Sequence, residues 1–248
     1  MQTAIAHHMS SIPLHNILFL DIETVPQYSS FGEVPEEWKG LWKKKAEILL
    51  RNRGDETTES VYNRAGIYAE FGKIICISCG VIPSNSPEKK IIIKSFCGEE
   101  EKVVLFQFSE MLNKWTTDSS KYLCAHNGRE FDFPYLCRRL IINQLPIPSV
   151  LQMSGKKPWE VNHLDTLELW KFGDFKSYTS LNLLAQTLNI STPKDDIDGS
   201  MVGPVYWIEK DLPRIVHYCQ KDVLTVAQIF LKMNGESLIK EENIEIKE

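Results

Sequence analysis

The sequence predicts an α/β fold, a mixed sheet of about five or six strands flanked by helices, on three observations. A continuous apolar run, ILFL, leads the chain into Asp21 and Glu23. Two β-rich runs, KIICISCGVI and KKIIIKSFCG, follow one another across the turn-rich PSNSPE, and beyond them helical and extended patterns alternate. Neighbouring extended runs joined by a short turn make an antiparallel hairpin, whereas strands separated by helices run parallel, so one sheet is expected to carry both pairings.

The first fifteen residues have no periodicity and are expected to be a flexible arm, 1–15, ahead of a single domain at 16–236. Ile17 to Glu23 is a continuous apolar run of the kind found in the middle of a sheet. A helical insertion follows between Pro26 and Glu70. In it EEWKGLWKKKAEILL places apolar residues at 38, 41, 42, 46, 48 and 49, roughly one stripe. After the polar RNRGDETTES comes a second short helical segment, VYNRAGIYAEF, and then the hairpin.

EEKVVLFQFSEMLNKW reads as an amphipathic helix, YLCAHN as a short strand and PYLCRRLIINQ as a helix with proline at its start. HLDTLELW is a strand passing into a helix, and SLNLLAQTLNI a helix with Ser180 as N-cap. The loop STPKDDIDGS precedes a last long helix, with Asp211 capping it and Pro213 in its first turn, that runs to about Asn234. The remainder, 237–248, is a charged tail expected to fray.

With 248 residues, 43% hydrophobic and 25% charged, the chain has the composition of a globular protein rather than a disordered one. It has no apolar run of roughly 18 residues, so no membrane span is expected. The N-terminus has neither a basic region nor a long apolar stretch, and a cytoplasmic location follows as the expectation. Only Cys76 and Cys79 of the six cysteines have C-x-x-C spacing, and in a strand residues three apart point to opposite faces, so buried thiols are expected rather than a zinc or redox site.

A net charge of −5 and a pI near 5.8 do not mark a nucleic-acid binder. KGLWKKK, RNR, CRRL and GKKPW are local basic stretches with aromatic neighbours, a pattern that is ordinarily a solvated face.

Three clusters carry chemistry. Residues two apart in a strand share a face, so Asp21 and Glu23 project together. Side by side the two carboxylates repel and bind protons more tightly unless a cation lies between them, and oxygen-rich anionic clusters suit Mg²⁺ or Mn²⁺. The bland alternative is a solvated turn. AHNGREFDFPYL then puts Asn127, Phe131 and Asp132 just past a strand, with Asp132 equally able to cap a helix starting at Pro134. In HYCQKDVLTV, Tyr218 and Asp222 are four apart and so lie on one helix face.

In this order, D-I-E-T, N-x-x-x-F-D and Y-x-x-x-D resemble the three exonuclease motifs of the DEDD superfamily of 3′→5′ exonucleases. The similarity is greatest to the proofreading exonuclease domain of family B DNA polymerases and its stand-alone bacterial relatives, over about Ile17 to Lys232. It implies an RNase H-like fold in which Asp21, Glu23, Asp132 and Asp222 bind two divalent cations, Mg²⁺ or Mn²⁺, and Tyr218 orients the attacking water. It also implies that Thr24 contacts the terminal nucleotide and that Asn127 and Phe131 shape its pocket.

The superfamily divides into tyrosine and histidine branches, and His217-Tyr218-Cys219-Gln220-Lys221-Asp222 satisfies both patterns. At 100° per residue Tyr218 lies about 40° from Asp222 around the helix and His217 about 140° away, which favours Tyr218. Asp165 and Asp174 are the remaining candidate acids, with Asp165 expected in a supporting role.

The resemblance thus implies a hydrolase acting on single-stranded nucleic acid, DNA before RNA. An exoribonuclease with the same chemistry is the alternative, and a non-catalytic nucleic-acid-binding module a further one. Lys43 to Lys45, Arg51 and Arg53 in the insertion are expected either to clamp the strand or to form an exposed helix face.

Overall fold

The computed structural model of the protein describes residues 12–51, 55–84, 88–116, 121–174, 176–191 and 197–247. Residues 1–11 of the expected arm lie outside these. The last part of that arm is packed rather than loose: Ile12 is buried, and Leu14–Asn16 form a 3₁₀ turn leading into the first strand.

Six strands form one sheet: β1 (Ile17–Pro26), β2 (Gly72–Val81), β3 (Ile91–Cys97), β4 (Tyr122–Ala125), β5 (Leu164–Asp165) and β6 (Ile244–Lys247). Their order is β5-β4-β1-β2-β3-β6. β2 is antiparallel to β1 and β3, and the pairs β1–β4, β4–β5 and β3–β6 are parallel, so β2 alone runs in reverse. This is the mixed α/β sheet flanked by helices that the sequence predicts. β1 extends three residues past the predicted end at Glu23, because its pairing with β2 resumes after a register shift between Glu23 and Thr24.

The tail is a second departure from expectation. Ile244–Lys247 do not fray but pair in register with Ile91–Lys94 of β3, and Ile239 just before them is buried. Lys240 and Asn243 add side-chain bonds to Glu88 on the neighbouring strand connection.

Helices cover both faces, and the alternation of β1 decides which residues meet which layer. Leu18, Leu20 and Ile22 pack with Leu105 and Phe108 of α2 (Glu101–Trp115) and with Phe133 and Leu136 of α3 (Asp132–Ile142). Ile17 and Phe19 face the other way, onto Val223, Val226 and Phe230 of the long helix over Leu212–Met233, here α6. Phe19 and Phe230 meet edge to face at 5.7 Å. Side chains of this size contribute about 1.5–3 kcal/mol each when fully buried. Asp211 caps α6 by accepting from the Arg214 N–H, and Ser180 caps α5 (Leu181–Thr187) by accepting from Leu183. The short helix α4 is Thr166–Lys171.

The insertion forms α1 (Glu36–Leu50). Its stripe is narrower than its apolar positions imply. Trp42 and Ala46 are fully buried, but Trp38, Leu41 and Ile48 are 40%, 50% and 59% exposed. Trp42 sits in an aromatic nest with Tyr62 and Phe71 and donates from Nε1 to the Thr58 carbonyl at 3.0 Å. A buried ion pair fastens the layers elsewhere. Glu101 on α2 receives both Nε and Nη2 of Arg139 on α3, together with the Ile74 N–H of β2. Among the described residues no helix is long and apolar enough to cross a membrane.

Candidate active site

On the α6 side of β1 the residues read Ile17, Phe19, Asp21, Glu23 and Val25. The apolar members belong to two separate clusters, Phe19 with Val223 and Phe230, and Val25 with Tyr206, Ile215 and Tyr218. Asp21 and Glu23 therefore occupy a polar gap between two dry patches, beneath α6. Glu23 is buried and Asp21 half-buried.

Asp132 reaches the same place from another element. α3 starts at Asp132 itself, with Phe131 as its N-cap residue, two residues before the proline at which the sequence placed the start. The carboxylate is thus in the first turn of a helix, only 3% exposed. Its short lead-in needs a close approach: a Cβ on Gly128 would lie 2.5 Å from Cβ of Ala125. Asp165, at the end of β5, holds this loop. It accepts the N–H groups of Asn127 and Arg129 at 2.9 and 3.0 Å and caps α4 through Leu167 and Glu168. Asn127 is fixed there with a left-handed φ of 61°. Asp165 thus supports this loop, whereas Asp174 is exposed and, among the described residues, its carboxylate accepts the Lys176 N–H of its own turn.

Tyr218 and Asp222 come down from α6. The Tyr218 hydroxyl donates to the Asp222 carboxylate, one helical turn on, while His217 is exposed.

Electrostatics tie the four acids together. Burial raises the pKa of Asp21 well above the carboxylate range, and the charges of Asp222 and Asp132 raise it further. Glu23 is raised by burial and then by Asp21 and Asp222. Asp132 is pushed up to about 7, chiefly by burial, although its own backbone N–H and that of Ile22 on β1 work against this. Burial, Asp222, Glu23 and Asp21 together lift the Tyr218 phenol above its ordinary range. The largest charges acting on Asp21 and Glu23 are other acids, an arrangement that a bound cation would relieve. Hard carboxylate oxygens are the donor set that divalent cations of the Mg²⁺ or Mn²⁺ type prefer.

Two residues of the site carried no sequence signal of their own. Cys219 lies between Tyr218 and Asp222, and its Sγ comes within 4.8 Å of carboxylate oxygens of both Asp21 and Glu23. Burial keeps this thiol protonated, and it donates to Asp21 Oδ2 at 3.3 Å. Tyr135, buried in α3, donates to the Gly66 carbonyl at 2.7 Å, receives a hydrogen bond from the Thr24 side chain and packs on Phe131 with ring centroids 5.3 Å apart. Thr24 and Phe131, two of the expected nucleotide contacts, thus share one neighbour.

The basic insertion is placed in part. Lys43 and Lys44 are exposed, Lys45 lies over the Tyr68 ring at 4.0 Å, and Arg53 falls outside the described residues.

Residues 67–244 match the model of a family described as a predicted 3′-5′ exonuclease related to the exonuclease domain of PolB. No curated protein matches the chain. Among solved structures, it is similar to the X-ray structure of the RNase domain of the yeast Pop2 protein at 14% identity and a TM-score of 0.44, covering 98% of this chain and 86% of that one. It is also similar to a chain in the structure of the yeast NOT1 MIF4G domain co-crystallized with CAF1, at 14% identity and a TM-score of 0.41, over 98% and 88% of the two chains.

Proposed function

The chain belongs to this family of PolB-related 3′-5′ exonucleases, and from that premise we propose that it hydrolyses single-stranded DNA from the 3′ end to nucleoside 5′-monophosphates. In this reading Asp21, Glu23, Asp132 and Asp222 hold two divalent cations, Mg²⁺ or Mn²⁺. The observation that carries it is the convergence of acids far apart in sequence: carboxylate oxygens of Asp21 and Glu23 lie within 4.8 Å of each other, and the charges of Asp222 and Asp132 act on Asp21. Bound there, such cations supply charge neutralisation for the scissile phosphate and acidify water.

Each residue then has a task that its position supports. Tyr218 orients the attacking water: its phenol stays protonated, and the bond to Asp222 holds its hydroxyl beside the acids. Cys219 keeps Asp21 Oδ2 in place by donating to it. Thr24, Asn127 and Phe131 receive the terminal nucleotide, with Tyr135 behind Thr24 and Phe131 and Asp165 behind Asn127. A pocket walled by such second contacts loses little freedom when the nucleotide enters.

DNA as substrate rests on the family's relation to the exonuclease domain of PolB. The test is digestion of matched DNA and RNA oligonucleotides, single-stranded, with and without EDTA. The proposal expects cation-dependent release of 5′-monophosphates from the 3′ end, faster from DNA. Faster release from RNA would make the protein an exoribonuclease with the same site, and activity that persists in EDTA would contradict the metal-dependent mechanism.

A further inference from the structure

Beyond the acids, along the same face, a cavity of about 260 Å³ opens between the start of β2 and the turn before α6, lined by Lys73, Glu99, Tyr206, Trp207, Lys210 and Leu212. The turn is a single π-helical stretch, Val205–Glu209, closed by Lys210 in a left-handed conformation with φ of 57°. Such wide turns stand out inside helical segments and recur at functional sites. Here the indole of Trp207 fastens the turn to the end of β1 by donating from Nε1 to the Pro26 carbonyl at 3.1 Å.

The two lysines are held by rings instead of by carboxylates. Lys73 Nζ donates to the Tyr206 hydroxyl at 3.0 Å and lies 4.9 Å from the centre of that ring and 4.8 Å from the centre of Trp207. Lys210 Nζ is 5.0 Å from the Trp207 centre. Among the described residues neither lysine forms an ion pair. Ring faces orient an ammonium without neutralising it. Glu99 lines the same cavity, so two ammonium groups face one carboxylate among its lining residues.

The cavity is close to the acids. Lys73 pairs with Val25 in the sheet, and Val25 shares one apolar cluster with Tyr206 and Tyr218. Leu212 is the first residue of α6, and Tyr218, six residues on, is about 9 Å away along the helix axis.

The geometry points to a phosphate-binding subsite in which Lys73 and Lys210 grip the backbone of the single-stranded nucleic acid upstream of the bond being cut. The inference rests on the nuclease reading above for its direction: with the 3′-terminal nucleotide at the acids, every other phosphate of the strand lies on the 5′ side. Tyr206 and Trp207 set the lysines in place, and the Trp207–Pro26 bond ties that placement to the strand that bears Asp21 and Glu23.

The test is equilibrium binding of a fluorescent single-stranded 12-mer to the full chain in EDTA, where turnover does not interfere, read as anisotropy across a salt series. Lys73→Gln with Lys210→Gln should weaken binding at low salt by about tenfold and flatten the log–log salt slope by about 0.7 per lysine. Lys102→Gln, a change to an exposed lysine of α2, should do neither. Lys210→Gln alone alters an exposed side chain and checks the result if the double variant fails to fold. An unchanged affinity and slope in Lys210→Gln and the double variant would overturn the subsite. Failure of the wild type to digest any oligonucleotide while the lysine effect holds would instead overturn the nuclease reading.

Discussion

The Sγ of Cys219 lies 3.3 Å from Oδ2 of Asp21 and 3.5 Å from the same residue's carbonyl oxygen, so one buried thiol joins α6 to the middle of β1. Its hydrogen bond favours the ionised form of Asp21 against burial and the neighbouring acids, all of which favour the protonated one. Cys219→Ser keeps a donor of similar size and should retain activity within about threefold. Cys219→Val removes the donor and should shift the rising limb of the pH–rate profile to higher pH, with about a tenfold loss at neutral pH. Superimposable profiles for the two variants would show that the contact has no electrostatic role.

Tyr218 is buried with its hydroxyl on Asp222, whereas His217, one residue earlier, is exposed. Tyr218→Phe should lower turnover on a 3′-ended oligonucleotide at least about tenfold with little change in KM, and His217→Ala should leave both within about twofold. The reverse ranking would move the catalytic role to the histidine.

Asp132 binds its proton with a pKa of about 7 in the cation-free fold, against 3.8 ordinarily. The folded state therefore holds this proton more tightly than the unfolded chain, so the cation-free protein loses stability as the pH rises from about 4 to about 7 and stays at the lower level above that. Asp132→Asn should raise the melting temperature of EDTA-treated protein at pH 8 and do so less at pH 5. A fall at pH 8 would mean that burial of this charge is not the cost assigned to it. Cation affinity should rise with pH over the same window, since protons and cations compete for the same oxygens.

Glu101 and Arg139 are both buried, and the guanidinium also donates to the Ala69 carbonyl at 2.8 Å. Glu101→Gln leaves a buried cation with no counter-charge and should cost about 3–5 kcal/mol in urea unfolding. Less than about 1 kcal/mol would show that water or a neighbour replaces the carboxylate.

The parts legible in the sequence are those with a local signature. The apolar run before Asp21, the turn-separated hairpin, the caps at Ser180 and Asp211 and the i, i+4 pair Tyr218–Asp222 each follow from period or turn chemistry. β6 was not legible because IEIK is four residues of half-exposed alternation, and only its pairing with β3, far upstream, makes it a strand. The exposure of Trp38, Leu41 and Ile48 escaped for a similar reason: a periodic stripe does not reveal how wide a surface awaits it. Cys219 and Lys73 look like a core thiol and a strand-flanking cation until the fold brings Asp21 and Trp207 beside them.

Four acids from three separate segments acting as one cation pocket are the centre of the proposed chemistry. Calorimetric titration of Mn²⁺ into EDTA-treated, dialysed protein measures this directly. Wild type should bind the ion, and Asp21→Asn, Asp132→Asn and Asp222→Asn should each weaken binding by about tenfold or more. Unchanged Mn²⁺ affinity in Asp132→Asn or Asp222→Asn would contradict it.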